Sequence, residues 1–349
     1  MARQVGADAV IEALGRVKYP GYATDIVRLG LIEDIAVAGQ GGVSLTIRQA
    51  TENEEVMRQL AALIHHELTH ELGIEHVELK AHRLEPELGE KTGKVRLEGV
   101  KHIVAVASGK GGVGKSTVAA NLAVALSQLG HSVGLLDADI YGPSVPTLFG
   151  VQNERPRPAG GGRFYPIEKF GVKLVSIGFF LTDKAPVIWR GPMVMGAVRQ
   201  FLRDVIWGSI DFLVVDLPPG TGDAQLTLAQ QVYLDGAVIV TTPQDLALLD
   251  ALRAVKMFRQ LHCPLLGVVE NMSFFVCPDC GERDELFGHG GGERIAGQEG
   301  TKLLTRVPIF PELRAGGDSG LPITVGQPEH PVSKAFADLA RQVASQMRD

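Results

Sequence analysis

The chain has 349 residues, 45% of them hydrophobic, and a formal net charge of −6. This length predicts two domains. The negative charge argues against a broad basic footprint for nucleic acid, and no run of residues approaches the roughly 20 apolar positions of a membrane span. The amino terminus also lacks the apolar core of a secretory signal. We therefore expect a cytoplasmic protein that has neither a nucleic-acid partner nor a membrane partner.

Residues 1–84 have the pattern of a small α/β domain. Two apolar runs flank a glycine-rich turn typical of a hairpin, and the later helix carries one apolar face. The predicted elements are a helix at Ala9–Gly15, strands at Ile32–Ala38 and Val43–Arg48, a helix at Glu54–Leu72 and a strand at Val77–Ala81. Residues 85–100 are charged and lack an apolar period, which predicts a linker before a second domain at 101–349.

The helix at Glu54–Leu72 ends in a pattern that matches the zinc-binding motif of metzincin proteases, with His66, His70 and His76 in the ligand positions. Counting about 100° per residue puts Leu68 on the buried face and His66 and His70 on the opposite face. In the last strand, alternate residues point to opposite faces. Val77 and Leu79 are expected on the buried face, so His76 should point to the other face. The three imidazoles are therefore expected not to converge, and a solvated helix is favoured over a protease, although incidental metal binding stays open.

From His102 onward, predicted strands alternate with predicted helices. The strands are Ile103–Ala107, Val133–Asp137, Val172–Ile177, Phe212–Asp216, Ala237–Thr241 and Leu265–Glu270, and the helices include Lys115–Leu129, Gln244–Gln260 and Pro331–Met347. The glycine-rich stretch Pro156–Gly162 is predicted to be a loop. Because the strands are almost continuously apolar, we expect an α/β fold with a mostly parallel sheet covered on both faces.

A phosphate-binding loop follows the first of these strands. Its glycines let backbone N–H groups point at phosphate oxygens, and the helix that begins after the loop adds a favourable dipole. Lys115 is expected to reach the β- and γ-phosphates, and the Ser116 hydroxyl to bind Mg²⁺. The sequence therefore predicts an ATP site formed by Gly109, Lys110, Gly111, Gly112, Val113, Gly114, Lys115, Ser116 and Thr117.

Lys110 indicates which class of P-loop protein the loop belongs to. The run from Lys110 to Ser116 resembles the deviant Walker A loop of the MinD/ParA-like P-loop ATPases. In that class the extra lysine reaches the nucleotide of the opposing subunit. The resemblance thus implies a homodimer with its ATP sites at the interface, and catalytic roles for Lys110 and Lys115.

Three aspartates follow two of the predicted strands at their carboxyl ends: Asp137, Asp139 and Asp216. Carboxylates in such positions can hold Mg²⁺ waters or orient the attacking water. By resemblance to the class, Asp139 is expected to position water and Asp137 to support the metal shell. Asp216 ends a hydrophobic run of the Walker B type and is expected in the second shell of Mg²⁺. The alternative for Asp137 and Asp139 is that they only cap the next helix.

The chain has three cysteines, Cys263, Cys277 and Cys280. The spacing of Cys277 and Cys280 lets two thiolates face one metal centre, which is half of a four-thiolate site. A second copy of the chain would supply the other two sulfurs. Zinc bound across a dimer, a redox pair and a structurally idle pair remain alternatives. Cys263 is expected to pack as a small buried residue.

An ordered set of motifs resembles the Mrp/ApbC family of iron–sulfur cluster carrier ATPases from about residue 100 to the carboxy terminus. The motifs are Trp189-Arg190-Gly191-Pro192, the double-proline extension Leu217-Pro218-Pro219-Gly220-Thr221-Gly222-Asp223, Glu270-Asn271-Met272-Ser273, Cys277-Pro278-Asp279-Cys280, Phe287–Gly292 and Gly316–Gly320. The resemblance implies a [4Fe–4S] cluster held by Cys277 and Cys280 across the homodimer. It also implies iron–sulfur scaffold and apo-protein partners, and an Asn271 near adenine; a turn-forming asparagine is the alternative for the last.

Thr24–Ile32 resembles part of the MIP18-type domain of iron–sulfur assembly factors, which precedes the ATPase in many Mrp proteins. The expected Asp-Pro-Glu is replaced here by Tyr19-Pro20-Gly21, and Thr51–Glu54 lacks the cysteine often found there. Partner docking is therefore favoured over cluster binding by this domain. The rivals for the whole chain are a ParA/MinD-type positioning switch and a metabolic P-loop enzyme with a structural zinc.

Overall fold

A computed structural model describes residues 6–20, 25–27, 31–38, 42–48, 54–74, 76–82, 96–139, 142–160, 162–180 and 203–347. The chain divides into two compact units, an amino-terminal one and a carboxy-terminal one. Within the described ranges, no helix combines the length and the apolar character needed to cross a lipid bilayer.

The amino-terminal unit is a small α/β domain, which confirms this part of the predicted fold. Its elements are α1 (Ala7–Leu14), β1 (Ile32–Ala38), β2 (Gly42–Arg48), α2 (Glu54–Leu72) and β3 (His76–His82). Strands β1 and β2 form an antiparallel hairpin, and β3 lies parallel to β2 after the α2 crossover. One apolar cluster joins the inner faces of both helices to the sheet.

Helix α2 has the two faces that its periodicity predicts. Ile64 and Leu68 are completely buried, whereas His66 and His70 are exposed and their rings stack with centroids 4.4 Å apart. His76, at the start of β3, is also exposed. The hydrophobic face, and not the histidines, therefore joins α2 to the domain.

This assignment of faces predicts unequal effects of two substitutions in α2. Leu68→Ala should destabilise the amino-terminal unit by about 3 kcal/mol, because it leaves a cavity in the core. The matched change His70→Ala should stay within about 0.5 kcal/mol, because the imidazole is exposed. Hydrogen–deuterium exchange of peptides from 54–82 in the full chain measures both. Equal protection losses in the two variants would contradict the assignment.

The carboxy-terminal unit contains strands and helices in alternation. The strands are β4 (Val100–Ala107), β5 (Val133–Asp137), β6 (Arg157–Gly160), β7 (Arg163–Tyr165), β8 (Ile167–Lys169), β9 (Val172–Ser176), β10 (Ile210–Asp216), β11 (Gly236–Thr241), β12 (Leu265–Val276), β13 (Arg283–Asp284) and β14 (Leu303–Ile309). The helices are α3 (Lys115–Gln128), α4 (Val145–Leu148), α5 (Asp223–Gln231), α6 (Asp245–Gln260), α7 (Gly291–Gln298), α8 (Pro311–Ser319), α9 (Ile323–Gly326) and α10 (Pro331–Gln346).

Nine of these strands form one sheet with the order β14-β12-β11-β4-β10-β5-β9-β8, and β13 pairs with the end of β12. The strands are parallel except for β8 and β13. Apolar residues of α3 and α10 cover one face, and those of α6 and α7 cover the other. The predicted mostly parallel, doubly covered sheet is confirmed, and its central strand β4 leads into the phosphate loop.

Several boundaries differ from the sequence-based predictions, most of them by one to three residues. The predicted loop at Pro156–Gly162 is wrong for Arg157–Gly160, because these residues form β6 and pair with β7. Strand β12 continues to Val276, well past the predicted end at Glu270. Residues 85–95 of the predicted linker and the motif at 189–192 lie outside the described residues, and Val100 already belongs to β4.

Candidate functional site

The phosphate loop lies between the end of β4 and the start of α3, at the carboxyl edge of the sheet. Gly112 and Gly114 both have a φ of 82°, a backbone conformation that favours glycine. The Ser108 hydroxyl donates a hydrogen bond of 2.9 Å to the Lys110 carbonyl and so ties the loop to itself. The strand–loop–helix context that the nucleotide prediction requires is therefore present.

Close packing surrounds two glycines of the loop. A Cβ on Gly109 would lie 1.9 Å from the backbone oxygen of Asp250 in α6, and a Cβ on Gly114 would lie 2.2 Å from Nδ2 of Asn271. At Gly111, by contrast, the nearest atom to a Cβ would be Cβ of Pro219 at 3.9 Å. The loop thus packs on α6 at one glycine and on β12 at another, while Gly111 is free of such contacts.

This difference predicts how the loop tolerates a methyl group. Gly109→Ala should lower the free energy of unfolding by about 2–3 kcal/mol, because backbone must move to admit the Cβ. Gly111→Ala is the matched control and should cost no more than about 1 kcal/mol. Urea unfolding without nucleotide, followed by the fluorescence of the buried Trp207, checks both values. An equally mild effect at Gly109 would show that the loop does not pack against α6 in this way.

Lys115 is buried among acidic side chains at the first turn of α3. Its Nζ donates to Oδ1 of Asp216, lies 3.2 Å from Oγ of Ser116 and lies 3.9 Å from Oδ2 of Asp139. Asp216 ends β10 directly opposite Asp137 of β5. The sheet therefore brings together the lysine, the hydroxyl and the three carboxylates that the sequence assigned to one site.

Two of these carboxylates, Asp137 and Asp216, have a raised pKa because they are buried close to each other. Burial raises the pKa of Asp216, and the Lys115 ammonium opposes this rise. Burial, with the nearby charge of Asp216, raises the pKa of Asp137 to about 7. A bound cation would favour the charged form of both groups.

Both carboxylate oxygens of Asp137 accept hydrogen bonds from other groups of the protein. Its Oδ1 accepts the N–H of Asp139 at 3.1 Å, and its Oδ2 accepts the N–H of Val145 at 3.1 Å and the hydroxyl of Ser176 at 2.9 Å. Val145 is the first residue of α4, so the helix-capping alternative describes one of these bonds. The bond to Asp139 means that Asp137 also positions the backbone of the second carboxylate, which agrees with an indirect role at the metal.

Two carboxylate oxygens at the site are buried but have no hydrogen-bond partner among the described residues: Oδ2 of Asp216 and Oδ1 of Asp139. Buried polar atoms are normally paired, so such oxygens indicate a missing polar partner. Carboxylate and hydroxyl oxygens are the ligands that Mg²⁺ and its waters prefer. The residues present therefore fit a magnesium ion beside Ser116 and Asp216.

The remaining residues of the predicted nucleotide site occupy contrasting environments. Lys110 is exposed, unlike the buried Lys115, and Val113 is buried. Asn271 is buried and donates from Nδ2 to the carbonyl of Val113 at 2.8 Å. Asn271 therefore contacts the phosphate loop itself, and its contact with adenine stays a prediction.

Cys277 and Cys280 lie on a tight turn directly after β12. The Cys277 N–H donates to Glu282 at 2.9 Å, the Gly281 N–H donates to Cys277 at 2.9 Å, and β13 pairs back onto the end of β12. Cys280 is exposed and Cys277 is half-buried, whereas Cys263 is buried as predicted. Backbone N–H groups of Cys280 and Asp279 lower the pKa of the Cys277 thiol, which favours the thiolate that binds metals.

The turn provides two sulfur ligands, which are too few for a complete metal site. In the part of the chain that the structure describes, no cluster of three or more histidine, cysteine or acidic side chains could hold a metal ion. The cysteine turn lies beyond the end of β12, whereas Asn271, which contacts the phosphate loop, lies near the middle of that strand. The structure thus presents two distinct sites on one strand.

Sequence reasoning assigned no role to three residues that shape these sites. Glu270 is completely buried in β12, Ser176 binds Asp137, and Asp250 sets the approach of α6 to Gly109. A charged residue at the end of an apolar strand could have drawn attention to Glu270. The contacts of Ser176 and Asp250 have no comparable pattern in the sequence.

Comparison with known proteins extends this description. A family model described as NUBPL iron-transfer P-loop NTPase matches residues 99–344, and a model described as iron-sulfur cluster assembly protein matches residues 7–78. A protein of Synechocystis sp. named iron-sulfur cluster carrier protein is 46% identical over 344 residues, which is 97% of each chain.

Two solved structures are similar to this chain in fold. A nucleotide-binding protein from Archaeoglobus fulgidus, solved in complex with ADP, is 41% identical with a TM-score of 0.61, and the match covers 69% of this chain and 94% of that one. The cell division ATPase MinD of Pyrococcus furiosus shares the fold at 24% identity and a TM-score of 0.52, over 70% of this chain and 99% of that one. The chain therefore belongs to the family of NUBPL iron-transfer P-loop NTPases and has the MinD/ParA-like fold, preceded by an iron–sulfur assembly domain.

Proposed function

We propose that this protein is an ATP-hydrolysing carrier that holds an iron–sulfur cluster at a homodimer interface and transfers it to apo-proteins in the cytoplasm. The observation that carries the proposal is the joint presence, in one unit, of a phosphate loop with its acidic cluster and a pair of cysteines of which Cys280 is exposed. The two family models and the name of the full-length relative support the same function.

At the nucleotide site, Lys115 and the N–H groups of the phosphate loop bind the phosphates of ATP. Ser116 would bind Mg²⁺ and Asp216 would hold the waters of that ion; when bound, Mg²⁺ would neutralise charge on the phosphates. Asp139, braced by Asp137, orients the attacking water. Lys110 is exposed and is therefore able to reach the nucleotide of a second subunit.

At the cysteine turn, Cys277 and Cys280 supply two thiolates, and the same turn of a second copy supplies two more. Four sulfurs complete the ligand set of a [4Fe–4S] cluster. A cluster held by two exposed turns is accessible to a client, because Cys280 already faces solvent. The amino-terminal unit, which has no cysteine, provides a docking surface for scaffold or client proteins.

The two rivals have less support. A positioning switch of the MinD type rests on the shared fold alone at 24% identity. A metabolic enzyme with a structural zinc would not need one of its two metal-binding thiols to be exposed.

Reconstitution under anaerobic conditions tests the proposal. The purified chain is loaded with iron and sulfide, and transfer to an apo-enzyme is followed by recovery of that enzyme's activity, with and without ATP. We expect about one cluster per two chains and transfer that depends on the loaded protein. Zinc binding without cluster formation would favour the structural-zinc rival. A failure to transfer a bound cluster would reject the carrier role.

A further inference from the structure

Strand β12 connects the two sites. Near its middle, Asn271 donates to the Val113 carbonyl of the phosphate loop, and the Cε of Met272 would lie 3.9 Å from a Cβ on Gly114. The same strand ends at Val276, and Cys277 follows immediately. A displacement of the phosphate loop that pulls on Asn271 would therefore be transmitted along the backbone towards the cysteine turn.

The strand is kinked between the two sites. Met272 has a φ of 53°, which is unusual for a residue with a side chain, and the register between β12 and β14 shifts between Asn271 and Phe275. Such a conformation costs free energy and persists only where its surroundings enforce it. The kink therefore needs a local support.

Glu270 supplies that support. Its Oε1 accepts the Ser273 hydroxyl at 2.6 Å, a bond that spans the kink, and its Oε2 accepts the N–H of Gly292 in α7 at 2.6 Å. The Arg306 guanidinium lies 3.5 Å from Oε1 and balances the buried charge. One buried carboxylate thus fastens both sides of the kink and anchors it to the first turn of a helix.

We propose that Glu270 is a positioning residue that couples the nucleotide site to the cysteine pair, by holding the kink of β12 so that Asn271 and Cys277 move together. This inference rests on the proposed function, because it concerns how that function's two sites communicate. The polar contacts of Glu270 go to Ser273, Gly292 and Arg306, so it acts through the backbone of β12 rather than as a ligand. Its role is to make the affinity of one site depend on occupancy of the other.

Linked binding measures the coupling directly. The affinity for ADP is determined in excess Mg²⁺ with and without Co²⁺ as a probe of the cysteine pair, and thiolate-to-Co²⁺ absorption reports occupancy of the pair. For the wild-type chain we expect Co²⁺ to change the ADP affinity by about fivefold or more, and ADP to change the Co²⁺ affinity by the same factor. The double variant Cys277→Ala with Cys280→Ala should lose the Co²⁺ effect.

Variants of the kink then locate the coupling. We call the ratio of the ADP affinities with and without Co²⁺ the coupling factor. Glu270→Ala and Ser273→Ala should each still bind ADP and Co²⁺, but their coupling factor should be near one. Glu270→Gln should restore the factor, because the glutamine carbonyl can accept from Gly292 and its amide can donate to Ser273. Glu293→Gln is the matched control, since its exposed carboxylate also pairs with Arg306 but lies outside the kink, and its factor should equal the wild-type value.

The outcomes separate this inference from the proposed function. If Co²⁺ binds through the cysteines but the wild-type factor is one, or if Ser273→Ala keeps the full factor, the coupling role of Glu270 is wrong and the carrier function stands. If Co²⁺ does not bind through the cysteines, the coupling inference is wrong, and the iron–sulfur reconstitution alone decides the carrier function. Ser273→Ala removes a single hydroxyl, so it tests the coupling role of Glu270 even if Glu270→Ala does not fold.

Discussion

Replacement of both Cys277 and Cys280 by alanine is expected to abolish cluster binding and to leave ATP binding unchanged. The two thiols lie on a turn beyond the end of β12 and do not belong to the acidic cluster around Lys115. A single replacement should already reduce the cluster content at least tenfold, because each chain provides only half of the ligands. Iron and sulfide content, together with the visible absorption of the reconstituted protein, give the result.

Cys263→Ala is the matched control for the cysteine variants. Its thiol is buried near the Leu234 carbonyl, so its loss should leave the cluster content unchanged and cost about 1 kcal/mol of stability at most. Nucleotide affinity, measured on each of the cysteine variants, shows that the carboxy-terminal unit remains folded. A normal cluster content in the double variant would mean that the cluster ligands lie elsewhere in the chain.

Replacement of Lys115 by alanine is expected to lower the rate of ATP hydrolysis by a factor of about 100 to 1,000, the effect typical of removing one electrostatic donor to a reacting group. In the structure its ammonium is held by Asp216 and lies near Asp139. The change therefore also leaves two buried carboxylates without their cation. Phosphate release under saturating MgATP measures the rate, and calorimetry measures the nucleotide affinity.

Lys110→Ala separates the two lysines of the loop. Because Lys110 is exposed, its loss should preserve folding and the binding of ADP by a single chain. It should nevertheless reduce hydrolysis and ATP-dependent dimer formation, if it reaches the nucleotide of a second subunit. Sedimentation with a non-hydrolysable ATP analogue tests the dimer. Full activity in Lys110→Ala, or undiminished hydrolysis in Lys115→Ala, would contradict the respective role.

Much of the fold could be predicted because its determinants are local. The face of α2 that carries Leu68 follows from a helical period, and the central strands follow from apolar runs that end in turn residues. The phosphate loop is a contiguous motif whose glycines and lysine have fixed spacing. The cysteine turn is likewise contiguous, and its half-complete ligand set could be deduced by counting cysteines in the sequence.

The sequence by itself thus determined the fold class, the phosphate loop and the cysteine pair, because each depends on neighbours in the chain. Only the tertiary structure decided which distant groups meet: Lys115 with Asp216, Asn271 with Val113, and Glu270 with Gly292. It also decided that β12 runs past Glu270 to Val276 and so joins the two sites. These contacts depend on strand order and on buried hydrogen bonds between segments far apart in the chain, for which no local sequence pattern exists.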